Sequence, residues 1–186
     1  MMGAVPMTDS GSDRPTIPEL RIGQGFDVHP FSEDSGRSMV LGGVTFDGPG
    51  LAGHSDADPV AHAVTDALLG AAGLGDIGQR FPDTDAAFAG ADSMALLANA
   101  ADAVAAEGWT VANVDCTVVL EAPKLAPRRD EMQAGLTRVV GGPVTIKGKR
   151  AEGLGALGRR EGVACFAVAL LVRSVAPSGR EDGGTS

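Results

Sequence analysis

Residues 58–73 read DPVAHAVTDALLGAAG, and this stretch decides the class of the fold. Asp58 is an N-cap residue type, Pro59 suits the first helical position, and Gly73 suits the left-handed position after the last turn. Between them Val60, Ala63, Val64, Ala67, Leu68 and Ala71 recur at helical spacing, which predicts one buried helix face. Toward the N-terminus, Leu20 to Val28 and Met39 to Phe46 read as strands, the second interrupted by Gly42-Gly43. Toward the C-terminus a second helix runs from Asp92 to Glu107 and ends at Gly108. Its predicted inward residues are Met94, Leu97, Ala98, Ala101, Val104 and Ala105. Val111 to Leu120 is a strand, with Val114, Cys116, Val118 and Leu120 alternating to one face. Pro127 opens a third helix that Gly141-Gly142-Pro143 closes. The strands Val144 to Arg150 and Gly162 to Ser174 then end the chain in a hairpin-like close. Strands and helices in this order predict an α+β single domain, with helices packed on one face of a mixed sheet. A doubly wound nucleotide fold is not expected: there is no P-loop, and Gly23-Gln24-Gly25 lacks the third glycine of a dinucleotide fingerprint.

The composition narrows the function. At 186 residues the chain suits one domain and leaves little room for a second. Residues 1–19 and 176–186, rich in Pro, Ser and Gly, read as disordered ends flanking a folded unit over 20–175. No signal peptide and no membrane span is expected, which points to the cytoplasm. Fifteen basic residues against 24 acidic ones give a net charge of −9, the wrong sign for a non-specific nucleic-acid or anionic-membrane binder. An anionic ligand must therefore be held by local groups, such as a metal, a few cations or backbone amides. Cys116 and Cys165 sit in apolar runs and read as buried free thiols.

All three histidines, His29, His54 and His62, fall between positions 29 and 62. Asp27 and His29 are two apart at a strand end, so their side chains leave the same face. His62 lies one turn into the helix that starts at Asp58. One carboxylate and two imidazoles from facing elements make a tripod for Zn²⁺ with an open fourth position. Asp66, one turn further, is the expected hydrogen-bond partner of His62's other nitrogen. The competing reading is a capping Asp beside two unrelated surface histidines. His54-Ser55-Asp56, before the helix start, is either an anion site or simple capping. Asp76-Ile77-Gly78 and Phe81-Pro82-Asp83-Thr84-Asp85 form a carboxylate-rich loop, either solvated turn or polyol clamp. Lys147, Lys149 and Arg150 crowd one strand. Alternation puts Arg150 on the same face as Glu152, and an edge strand protected by charge is the plainer reading.

The segments RIGQGFDVHPF (21–31), GHSDADPVAHAVTDALLGAAGLGDIGQRFPDTD (53–85), NVDCTVVLEAPK (113–124) and GLGALGRREG (153–162) together resemble the 2-C-methyl-D-erythritol 2,4-cyclodiphosphate synthase family of the non-mevalonate isoprenoid route. The resemblance spans residues 21–173. It implies a homotrimer with active sites between subunits. It implies a lyase reaction that converts 4-diphosphocytidyl-2-C-methyl-D-erythritol 2-phosphate to the 2,4-cyclodiphosphate and CMP. Asp27, His29 and His62 match the family's Zn²⁺ ligands, and the Asp27-Val28-His29 segment also borders substrate. His54 and Ser55 match groups that hold phosphate, with His54 stabilising the transition state. Asp76, Ile77, Gly78 and Phe81, Pro82, Asp83, Thr84, Asp85 match the loops around the methylerythritol. Leu120, Pro123, Lys124, Leu125 and Ala126 match a cytidine and phosphate pocket supplied by the neighbouring subunit. Glu152 matches a ligand of a second divalent ion, Mg²⁺ or Mn²⁺, and Arg159 a basic residue near the trimer axis. Two departures stand out. Lys149-Arg150-Ala151 replaces a Thr-rich run, so Arg150 is expected to take over the missing catalytic phosphate contact. Ala156 replaces a large apolar residue near the axis. A zinc phosphohydrolase and a non-catalytic trimeric binding protein are the competing functions.

Overall fold

The computed structural model describes residues 18–82, 84, 85, 88 and 90–173. Residues 1–17 of the expected arm 1–19, the expected tail 176–186, Asp83 and the expected strand end at Ser174 lie outside the described residues. Strand β1 (Glu19–Pro30) is followed by the short strands β2 (Met39–Leu41) and β3 (Val44–Phe46), then by helices α1 (Pro59–Ala72), α2 (Ile77–Arg80) and α3 (Ser93–Ala106). After these come β4 (Thr110–Val119), a 3₁₀ turn over Ala126–Arg128, α4 (Arg129–Val140), β5 (Val144–Lys149), α5 (Gly155–Gly158) and β6 (Gly162–Arg173).

The helix read from residues 58–73 forms as its end signals require. Asp58 accepts from the amides of Val60 and Ala61, Pro59 opens α1, and Gly73 closes it in the left-handed region at φ 76°. Asp58 is fully buried and also accepts from the amides of Gly42 and Gly43 at 2.9 and 2.7 Å. Burial pushes the Asp58 carboxyl up, while these amides favour its charge. The same contacts explain the Gly42-Gly43 break. Both glycines have positive φ and form the two-residue turn of a hairpin, so β2 and β3 pair as a separate small sheet instead of one interrupted strand.

The main sheet is mixed, in the order β1-β6-β4-β5. The hairpin-like close expected from the sequence does not form. β5 runs parallel to β4, while β6 returns between β1 and β4 and pairs antiparallel with both. A parallel partner cannot be reached by a tight turn, so the chain needs α4 to cross over. α1 packs on β1 and β6, α4 on β5, and α3 on α1 and α4. α1 is covered nearly all round, not on one face, with only His62, Asp66 and Gly70 forming a less buried stripe. The buried residues of α3 are Ser93, Leu97, Ala100 and Val104, a stripe rotated from the expected one.

Gly23 and Gly25 set how close α1 lies to β1. A Cβ at Gly23 would sit 2.0 Å from the carbonyl oxygen of Ala67, and one at Gly25 would sit 1.9 Å from that of Ala63. Only glycine admits this approach. It brings His62 of α1 against the Asp27–His29 end of β1. The opposite sheet face carries Leu20, Ile22, Phe26, Val28, Phe166 and Val168, all substantially exposed, with Ile22 73% exposed.

Candidate metal and phosphate site

Strand alternation sends Asp27 and His29 toward α1, where they meet His62. Asp27 Oδ2 lies 2.9 Å from His29 Nε2 and 2.9 Å from His62 Nδ1, and the two imidazole nitrogens are 3.2 Å apart. A tetrahedral ion about 2.0–2.1 Å from each donor would hold them about 3.3 Å apart, so this triangle fits a divalent metal. The donor chemistry fits as well. His29 Nδ1 lies 2.8 Å from the carbonyl oxygen of Ala52, which accepts a hydrogen bond from Nδ1–H and leaves Nε2 to the tripod. Among the described residues these three form a group able to hold a metal ion. Burial opposes charge on Asp27, but the pairing with the His29 and His62 imidazoles in the metal-free site prevails and holds its carboxyl well below the usual range. Burial likewise pulls His29 down, and the bond to Asp27 prevails and raises it.

Asp66 is not the partner of His62. Its Oδ1 accepts from the amide of Ile77 at 2.8 Å and so anchors the start of α2. Burial pushes its carboxyl up, against the effect of that amide. His62 Nε2 instead faces two hydroxyls, Ser93 Oγ at 2.8 Å and Ser55 Oγ at 3.1 Å. Ser93 was missed from sequence because a serine after an N-cap Asp reads as part of the cap.

A cleft of about 400 Å³ opens beside the tripod. His29, His54, Ser55, His62, Ile77, Gly78, Phe81 and Pro82 line it, together with Phe88 and Leu96, which carried no motif signal. Asp76 caps α2 through the amide of Gln79 instead of facing this cleft, and the expected loop thereby contains a helical turn. Thr84 and Asp85 are exposed beyond it. Val28 points to the apolar sheet face.

A second cleft of about 230 Å³ holds the other group of expected residues: Leu120, Pro123, Lys124, Leu125, Ala126 and Arg150. Its remaining wall includes Glu121, Arg129 and Lys149. β5 ends at Lys149, so strand alternation cannot carry Arg150 and Glu152 to one face. Residues 151–154 instead form a turn closed by the Leu154 amide on the Ala151 carbonyl, with Glu152 at φ 52° and Gly153 at φ 79°. Arg150 Nε and Nη2 both reach Glu121 Oε2 at 2.9 Å. The Glu121 side chain is only 4% exposed. The Arg150 bond is the main reason its carboxyl is held down, against burial. Lys147 pairs with Asp115 at 2.6 Å. Arg159 pairs with Glu161 at 2.6 Å, and neither Arg159 nor Glu152 lines either cleft.

A model of the YgbB family matches residues 20–172 of the chain. A 2-C-methyl-D-erythritol 2,4-cyclodiphosphate synthase from Neisseria gonorrhoeae is 56% identical over 158 residues, covering 83% of this chain and 98% of that protein. A bifunctional enzyme IspD/IspF from an Anaeromyxobacter species is 54% identical over 157 residues, covering 83% of this chain. The chain spans about two fifths of that bifunctional relative's length, 40%. A solved structure described as the Plasmodium falciparum IspF CDP complex superposes with a TM-score of 0.73 at 31% identity, covering 84% of this chain and 97% of that one.

Proposed function

The chain belongs to the YgbB family, and from that membership we propose that it is a metal-dependent lyase acting on 4-diphosphocytidyl-2-C-methyl-D-erythritol 2-phosphate. The products are 2-C-methyl-D-erythritol 2,4-cyclodiphosphate and CMP, in the non-mevalonate supply of isoprenoid precursors. The observation that carries the reading is the Asp27–His29–His62 triangle at the mouth of a cleft lined by His54 and Ser55. A relative of 56% identity bears the synthase name, and a structural neighbour is described as a CDP complex.

Zn²⁺ on the tripod and Mg²⁺ or Mn²⁺ at Glu152 would neutralise phosphate charge and so allow one anion to approach another. The chain's own residues bind and align. His54 and Ser55 hold a phosphate beside the tripod, and Ile77, Gly78, Phe81 and Pro82 enclose the carbon skeleton. Asp76, Asp83, Thr84 and Asp85 are proposed as further substrate contacts. Leu120, Pro123, Leu125 and Ala126 receive the cytidine, and Lys124 its diphosphate. The 2-phosphate oxygen attacks the β-phosphorus, the bond to the CMP oxygen breaks, and CMP leaves. The nucleophile is already ionised, so no general base is required, and positioning supplies much of the rate. Equal yields of CMP and cyclic product from the purified protein are expected. CMP accompanied by an open-chain bisphosphate would mark a phosphohydrolase instead.

The two clefts contain different parts of the expected machinery, which supports a homotrimer with sites shared between neighbours. The exposed face of β1 and β6 is the surface proposed to bury on assembly, because apolar patches of this extent mark interaction sites. Arg159 and Ala156 are proposed near its axis. Ile22→Asp should convert the trimer to folded monomer in analytical ultracentrifugation, since a carboxylate there would be buried unpaired. A trimer that persists at micromolar concentration would remove this face from the interface. Two buried free thiols, Cys116 and Cys165, support the proposed cytoplasmic location. Among the described residues no helix is long and apolar enough to cross a membrane.

Arg150 is proposed to contact phosphate in place of the family's threonine. Glu121 occupies two of its five N–H donors, leaving three. Arg150→Ala should lower kcat/KM roughly 10- to 150-fold, the range for a lost charge-assisted hydrogen bond. Arg150→Lys should recover only part, because an ammonium keeps the charge without the fork. Unchanged steady-state kinetics in the alanine variant would leave Arg150 only its pairing with Glu121.

A further inference from the structure

We propose that Asp56, acting through Ser93, is the positioning device that fixes the proton on His62 Nε2 and so presents His62 Nδ1 to the metal. This rests on the metal reading above and adds two residues to it. Ser93 is fully buried at the first position of α3, and its hydroxyl stands between His62 Nε2, at 2.8 Å, and Asp56 Oδ1. A serine hydroxyl has one proton to give. The Asp56 carboxylate can only accept, so the Ser93 proton goes to Asp56. Ser93 Oγ is left as an acceptor toward its two other neighbours, His62 Nε2 at 2.8 Å and Ser55 Oγ at 3.2 Å, and the closer of these contacts calls for an Nε2–H. His62 Nδ1, 2.9 Å from Asp27 Oδ2, is then the nitrogen that gives up the proton shared with Asp27 and offers its lone pair when a metal binds.

Asp56 is itself held in place. Its Oδ2 accepts from the Ser93 amide at 3.2 Å and its Oδ1 from the Asp58 amide at 3.2 Å. Ser55 cannot substitute for it. Its Oγ is 3.1 Å from His62 Nε2 and accepts from the Ala57 amide, but among the described residues no carboxylate holds its proton. That hydroxyl can turn toward His62, toward Ser93 Oγ at 3.2 Å or toward substrate. On the Nε2 side of the ring, only the Asp56–Ser93 link imposes a direction. The arrangement parallels His29, where the Ala52 carbonyl is an acceptor that cannot turn into a donor. Groups that orient a metal-bound imidazole in this way usually change metal affinity 10- to 100-fold when removed.

The test titrates Zn²⁺ into the metal-free full chain against a competing chelator, for wild type, Ser93→Ala, Asp56→Ala and the double variant. Each single variant should weaken Zn²⁺ binding roughly 10- to 100-fold, and the double variant should be no weaker than Ser93→Ala. In the zinc-loaded protein the His62 Nε2–H proton should give a slowly exchanging downfield resonance that Ser93→Ala removes. Affinities within twofold of wild type, effects that multiply in the double variant, or an unaltered proton resonance would each overturn the relay. Wild type that fails to bind Zn²⁺ would overturn the metal reading itself, a distinct outcome.

Discussion

His62→Ala is expected to release the tripod metal and to lower turnover by at least about a thousandfold, while the chain still folds. Three donors converge within 2.9–3.2 Å, and removing one leaves a carboxylate and a single imidazole. Two donors cannot hold zinc against solvent as three do, and the phosphates would then meet without charge neutralisation. A metal in such a site contributes several kcal/mol to the transition state, and each 1.36 kcal/mol is tenfold in rate, which sets the size of the loss. The fold should survive because His62 belongs to the less buried stripe of α1. Val60, Val64, Leu68 and Leu69, which fasten that helix, are untouched. An open catalytic site also contributes less to stability than a closed structural one. Elemental analysis and a thermal melt together check this. Full zinc content in the variant would show that the ligand assignment is wrong.

Lys124→Ala and His62→Ala chains, each poorly active alone, are expected to restore activity when mixed and re-equilibrated. The tripod and Lys124 line separate clefts within one chain. If a working site takes its tripod from one subunit and Lys124 from the next, some mixed interfaces carry neither lesion. In a statistical one-to-one mixture about a quarter of the interfaces would combine an intact tripod with an intact Lys124, following from a closed ring of head-to-tail contacts. About a quarter of wild-type turnover is therefore the expected ceiling. Sites confined to single chains would give only the average of the two parents, and that result would rule out sharing.

The parts of this molecule legible in its sequence are those governed by near neighbours. Asp58, Pro59 and Gly73 bound α1 because capping is decided within a few residues. The tripod was legible because period-two alternation carries Asp27 and His29 to one face, and one helical turn carries His62 inward. Its assembly still required Gly23 and Gly25, whose meaning depends on a helix some 40 positions away. Strand pairing is equally non-local. Nothing in residues 144–173 states that β6 will insert between β1 and β4, so the hairpin expectation failed there. Arg150 was misplaced for a smaller reason: one residue of difference in where β5 ends replaces a strand face by a turn. Asp66 and Ser93 exchanged roles because helical spacing names neighbours on α1, while the bond to His62 comes from α3.

In the proposed reaction a phosphate oxygen of the substrate, and not water, attacks the β-phosphorus in the cleft beside Asp27, His29 and His62. Running the reaction in ¹⁸O-enriched water and weighing the products tests this most directly. Cyclisation predicts CMP and a cyclic diphosphate, both free of solvent oxygen. An open-chain bisphosphate carrying one ¹⁸O atom would contradict it and identify a zinc phosphohydrolase.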